Sequence, residues 1–158
     1  MGSLQAQVQP GAQSQPTRVI LSGAIDERCE LDEALGGLAE SEPIELDLAG
    51  ISRINSIGVM RWIPALEALC KGRDVRVVRA SYVVINQANS VANFFADAQV
   101  RSCLVPYFCP ACGDNKMLEI EVDEVRAAGC SAPARRCDSD DAQLEFDELD
   151  SYFTFARE

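Results

Sequence analysis

The sequence has no histidine. That removes the commonest general base, the usual partner of a serine or cysteine nucleophile, and the commonest ligand of hydrolytic zinc sites. Catalysis is correspondingly disfavoured, and a bound metal would have to rely on cysteine, with aspartate or glutamate beside it. Basic residues are also scarce, 14 against 25 acidic ones, for a net charge of −11. So acidic a chain is repelled by a phosphate backbone and by anionic lipid, which argues against nucleic acid as a partner. No apolar run is long enough to span a bilayer, so direct membrane insertion is not expected. Residues 1–16 lack the basic start and apolar stretch of a signal peptide. The expected location is the cytoplasm, where seven cysteines are free or metal-bound rather than paired as disulfides.

What is present suffices for a real core. The chain has 158 residues, 47% of them apolar, enough for a compact domain plus a small stapled one. Residues 1–16, rich in Gln, Gly, Ser and Pro, read as a disordered polar lead-in. Residues 18–23 form a short β-rich run. Residues 27–38 follow with Leu31, Ala34, Leu35 and Leu38 at helical spacing, Asp26 as N-cap, and Gly36 and Gly37 weakening the end. Residues 43–48 alternate in the strand period. A helix starts at Ser56 with Val59, Trp62, Ile63, Leu66 and Leu69 near one face, although Pro64 sits inside it. Residues 75–78 read as a strand, 82–98 as a helix and 100–105 as a last strand. This alternation predicts an α/β fold with a largely parallel sheet covered by helices, over residues 17–106. A boundary is placed near Pro106, and residues 107–158 form a small β-rich extension with strands near 117–122 and 144–146.

The extension opens on Cys109-Pro-Ala-Cys112-Gly113. Two thiolates at this spacing turn toward one metal, and Gly113 permits the positive backbone angle such a knuckle needs. A redox pair uses the same spacing but belongs at the start of a helix, whereas here a β-rich stretch follows. The expected cofactor is structural zinc, held by Cys109, Cys112, Cys130 and Cys137 in a zinc ribbon. Asp140, three residues after Cys137, competes with Cys130 for the fourth position, and thiolates are the commoner ligands in structural sites. Cys29, Cys70 and Cys103 fall in the helix and strand patterns of the first unit and read as core cysteines.

The stretch from Leu46-Asp47-Leu48-Ala49-Gly50 through Asn55-Ser56-Ile57-Gly58-Val59 resembles the strand, loop and helix start of STAS domains, the fold of bacterial anti-sigma factor antagonists. The resemblance extends over residues 17–105. It implies a STAS-like mixed, largely parallel sheet and a non-enzymatic regulatory protein that acts by protein–protein binding. Its partner would be an anti-sigma factor or switch kinase. By the same resemblance Ser56 stands at the phosphorylation position, Asp47 matches the strand-end acid and Gly58 the turn glycine. Asn55 and Ile57 depart from the family's residues there. Arg53, Asn55, Ser56, Ile57, Met60 and Arg61 form the implied partner contact. Read without the family, Ser56 is a good N-cap whose position also tolerates phosphate. The departures leave a second reading open, a constitutive STAS subunit of a membrane-associated, lipid-transport-like ATPase complex. The C-terminal segment is similar to zinc-ribbon extensions that follow some bacterial STAS-like domains, with Asp140 where the last cysteine of the second knuckle would stand. Its aromatic tail reads as packing against the ribbon.

Overall fold

Alternation of apolar residues sets the first sheet. In the computed structural model, which describes residues 4–11, 15–36, 38 and 42–157, β2 (Thr17–Ile25), β3 (Ile44–Ile54) and β4 (Val75–Val78) run parallel. Val19, Leu46 and Val77 lie in register and are fully buried. β1 (Gln5–Gln9) adds antiparallel to β2, and the two-residue β5 (Gln99–Val100) adds parallel to β4. The result is a five-stranded, mostly parallel mixed sheet in the order β1-β2-β3-β4-β5. Crossovers carry α1 (Leu31–Leu35), α2 (Ser56–Cys70) and α3 (Tyr82–Ser90). No helix among the described residues is long and apolar enough to cross a membrane.

Several elements differ from the sequence expectation. The lead-in was expected to be disordered, yet its described part contains β1, whose residues are all exposed and which is held by backbone pairing with β2 rather than by burial. Residues 1–3, 12–14 and Gly37 lie outside the described residues. α1 is shorter than the apolar pattern suggested. Asp26 does not cap it but closes a turn by accepting the Arg28 amide at 2.9 Å, which postpones the helix to Leu31. α3 is capped by Ser81 and ends at Ser90. Beyond it Asn93 and Ala96 adopt left-handed angles that turn Phe94 into the core.

The boundary expected near Pro106 falls inside a strand. β6 (Ser102–Phe108) runs straight through it, pairing antiparallel with β7 (Asn115–Glu121) and with β8 (Glu145–Phe146). Pro106 donates no amide, but its carbonyl accepts the Asp147 amide at 3.0 Å, and Cys103, Val105 and Tyr107 keep up the buried alternation on either side. Ala80 bridges to Cys103, which ties the end of β4 to the second sheet. A short helix, α4 (Val122–Ala127), follows β7 where only loop was expected, with Val122 and Val125 buried. The chain closes in two short 3-10 turns over Asp150–Arg157 that meet at a kink at Phe153.

One hydrophobic core runs through both sheets, from Val19 and Trp62 to Tyr107 and Phe153. The aromatic tail reaches beyond the second sheet. Phe153 stacks on Phe146, whereas Tyr152 stacks on Tyr82 of α3 at 5.5 Å between ring centres. Asn89 of α3 secures the tail, donating to the carbonyls of Ser151 and Tyr152 and accepting the Phe155 amide at 2.9 Å.

Candidate metal centre and the Ser56 turn

The link from β6 to β7 is a tight knuckle. The Gly113 amide donates to the Cys109 carbonyl at 2.8 Å and the Cys109 amide to the Asp114 carbonyl at 2.9 Å. Gly113 takes φ +78, which glycine adopts without strain, and the Cys112 amide points at Cys109 Sγ at 3.5 Å. Residues 137–142 repeat this pattern. The Asp141 amide donates to the Cys137 carbonyl at 2.9 Å, the Cys137 amide to the Ala142 carbonyl at 2.8 Å, and Asp141 takes φ +59. Asp140 therefore occupies in the second knuckle the place that Cys112 occupies in the first.

The two knuckles face each other. Cys109 Sγ lies 3.5 and 3.6 Å from the Asp140 carboxylate oxygens, and Cys112 Sγ lies 3.9 Å from Cys137 Sγ. One ligand atom from each of Cys109, Cys112, Cys137 and Asp140 falls within 4.8 Å of all the others, a cluster able to hold a metal ion. Cys109 and Cys137 are buried and anchor it from the core side, while Cys112 and Asp140 are exposed.

Cys130, the expected fourth ligand, is not in this group. It stands just past α4, where its amide donates to the Val125 carbonyl at 2.9 Å and the Gly129 amide to that of Arg126 at 3.1 Å. This pair of bonds, with Gly129 at φ +76, is a glycine-based helix stop that takes up the last carbonyls of α4. The helix was not foreseen, and its end is what assigns Cys130 elsewhere.

Crowded thiols and a carboxylate repel as anions. Amides of Ser139, joined by that of Asp140, hold the Cys137 thiol below its usual range against burial, and the Ala142 amide does the same for Asp140. The Asp114 amide works to lower Cys112 too. Its thiol neighbour Cys109, partial burial and Cys137 outweigh that and push it up to about 11. A cation at the centre relieves this repulsion, and Lys116, paired with Asp138 at 3.2 Å, already brings one positive charge to the rim. Elsewhere Cys29 and Cys103 are buried core residues and Cys70 is half-buried. Burial pushes the Cys103 thiol up to about 12, which leaves it inert.

The Ser56 turn joins β3 to α2. Asn55, not Ser56, caps the helix: its side-chain oxygen accepts the Gly58 amide at 2.8 Å, and its side-chain nitrogen donates to Glu27 at 2.7 Å. Ser56 is the first helical residue and is exposed, as are Arg53, Ile57, Met60 and Arg61. Gly58 is required sterically, because a Cβ there would stand 1.8 Å from the Ile25 carbonyl oxygen at the end of β2. Replacing Asn55 with alanine is expected to cost about 1 kcal/mol of stability, read from the urea midpoint, with most of it restored by serine, which caps without setting a second carboxylate against Glu27. An unchanged midpoint in the alanine variant would show that the cap is dispensable.

Asp47 does not end its strand. β3 continues seven residues further, to Ile54, and Asp47 sits mid-strand, buried, between Arg18 at 2.6 Å and Arg79 at 3.5 Å. The acid beside the turn is Asp26, at the end of β2, buried and paired with Arg53 at 3.2 Å. The Arg28 amide and then the Arg53 guanidinium hold its carboxyl below the usual range against burial. Only its place just past the first β-rich run hinted at this. No protein-family model matches the chain, and no curated protein matches it at a significant level.

Proposed function

We propose that the protein is a non-catalytic regulatory adaptor, STAS-like in its first sheet and helices, that docks on a partner protein through the start of α2. The partner class is an anti-sigma factor or switch kinase, and the setting is the cytoplasm. The observation that carries this reading is the surface beside Ser56: Ile57 is 47% exposed and Met60 74%, on the first turns of a helix held rigidly by the Asn55 cap and the Gly58 contact. Exposed apolar side chains on a rigid element are what a protein interface uses. The absence of histidine, and a metal position whose four places the three cysteines and Asp140 would fill, weigh against catalysis.

The metal in this reading is structural zinc. With Zn–S near 2.3 Å and Zn–O near 2.0 Å, tetrahedral ligands stand roughly 3.8 Å apart for two sulfurs and roughly 3.5 Å for sulfur and oxygen. The separations of 3.9 Å for Cys112 and Cys137 and 3.5 Å for Cys109 and Asp140 fit that geometry. A zinc ion there would knit the two knuckles together and so hold the ends of β6 and β7 against the loop before β8.

A constitutive subunit of an ATPase complex is the second reading. What favours it is Glu27, whose carboxylate bonds the Asn55 side chain next to Ser56 and would repel a phosphate on that serine.

A photo-crosslinking amino acid placed at Met60 tests the docking surface, with the equally exposed Leu149 (73%) as control. The expected result is one dominant adduct from Met60, identified by mass spectrometry as a kinase-like, anti-sigma or ATPase protein, and none from Leu149. Equal labelling at both sites, or no adduct, would overturn the reading. Kinase labelling of Ser56, with a Ser56→Ala control, then separates the switched adaptor from the constitutive subunit.

A further inference from the structure

α2 carries two apolar stripes. One, Val59, Trp62, Leu66 and Leu69, is buried on the sheet. The other, Ile57, Met60, Pro64 and Ala68, keeps helical spacing but is bare. Beside the bare stripe runs a groove of about 700 Å³ between α2 and α1. Its far wall is acidic: Glu30, Asp32 and Glu33 all line it and all are exposed. The neighbouring Glu30 carboxyl pushes the Glu33 carboxyl up, as like charges side by side on one wall do. Arg61 is the one basic residue among the lining, and its guanidinium donates to the Cys29 carbonyl at 3.3 Å. Pro64 also lines the groove. Having no amide, it leaves the Met60 carbonyl without its usual donor one turn on.

We propose that this groove seats an amphipathic helix of the partner protein, its apolar face on the Met60 stripe and its lysines or arginines along the acidic wall. The inference rests on the reading of α2 as the docking element and adds the partner's chemistry. Charge selects this occupant. A second copy of the chain would set one acidic wall against another, and an anionic lipid surface would be repelled by the same carboxylates. A basic helix satisfies both walls at once, and methionine adapts to whichever apolar residues it presents.

The test uses the zinc-loaded full chain and a synthetic helical peptide with leucines on one face flanked by lysines, followed by fluorescence anisotropy. Saturable binding is expected. It should weaken about tenfold in the Glu30→Lys/Glu33→Lys double variant and change little in Glu145→Lys/Asp147→Lys, which alters net charge equally at exposed positions outside the groove. Hydrogen exchange in the complex should protect α1 and α2. Circular dichroism confirms that both double variants are folded, and Met60→Asp in the otherwise native chain should lose binding through the apolar face alone. Equal weakening by the two double variants would mean non-specific attraction to an acidic protein and would overturn the proposal. No peptide binding, with a Met60 adduct still formed, would overturn it while leaving the docking surface intact. Failure of both would remove the two together.

Discussion

Cys109→Ala protein is expected to purify with almost no zinc, where the native chain should carry about one per molecule, and to lose the fixed structure of its two knuckles. Cys109 is fully buried, accepts the Cys112 amide and faces Asp140, so its loss takes the inner anchor from the set. Binding to the native state alone stabilises a protein by about 4 kcal/mol when free metal stands about a thousandfold above its dissociation constant, and a chelator should remove the same amount from the native chain. Because thiolates must shed protons to bind, zinc should be retained at neutral pH and released as pH falls. Two further variants decide the fourth ligand. Cys130→Ser should leave the zinc content unchanged, whereas Asp140→Ala should weaken binding and Asp140→Cys strengthen it, a second thiolate being the softer donor. A native chain that holds no metal, or that readily forms a Cys109–Cys112 disulfide, would sink the structural-zinc reading.

Asp140 marks where the sequence ceased to be legible. The first knuckle could be read because two cysteines and a glycine stand at a spacing with one geometric meaning. The second carries the same backbone turn with aspartate in the place of the second cysteine and Asp141, not glycine, at the left-handed position. Its spacing already offered Asp140 beside Cys130, but the choice between them lay in hydrogen bonds between amides and carbonyls, which the side chains do not spell out. The parallel strands were legible for the opposite reason: Leu46 stands in a clear apolar–polar alternation, and Val19 and Val77 in short β-branched runs of strand length. α4 was hidden because Val122 continues the apolar alternation of Leu118 and Ile120 in β7, and Val125, three residues on, is the one apolar position at helical spacing in a helix of a turn and a half. Ser56 and Asn55 are both good caps, and the choice between them depends on Gly58 lying hard against Ile25, a contact between segments that are distant in sequence.

Trp62→Ala is expected to destabilise the protein by about 3 to 5 kcal/mol, the range for deleting a large buried aromatic. Trp62 is fully buried on the inner face of α2, its ring lies 5.9 Å from that of Phe94, and its indole N–H donates to the Phe94 carbonyl at 3.0 Å. The substitution leaves both a cavity and an unpaired buried carbonyl. Trp62→Phe separates the two, since it keeps most of the volume and loses only the hydrogen bond, at about 1 to 3 kcal/mol. Trp62 is the only tryptophan, so unfolding must be followed by circular dichroism in denaturant rather than by fluorescence. A loss below about 1 kcal/mol in the alanine variant would contradict the packing described, and with it the claim that α2 is held firmly enough to present Met60.

The strand that runs through Pro106 bears on how this chain could be taken apart. A segment trimmed at the apparent boundary would carry half of β6, a bare pairing edge and the uncovered ring of Tyr82, all of which invite association with other chains. The half with the two cysteine knuckles, cut at the same place, would keep its candidate metal cluster but lose Ser102 to Val105, the strand residues that hydrogen-bond to Ala80 and the tail. For grafting, shuffling or fusion the smallest portable piece is therefore the whole body from β2 to the last aromatic turn, and additions belong at its ends.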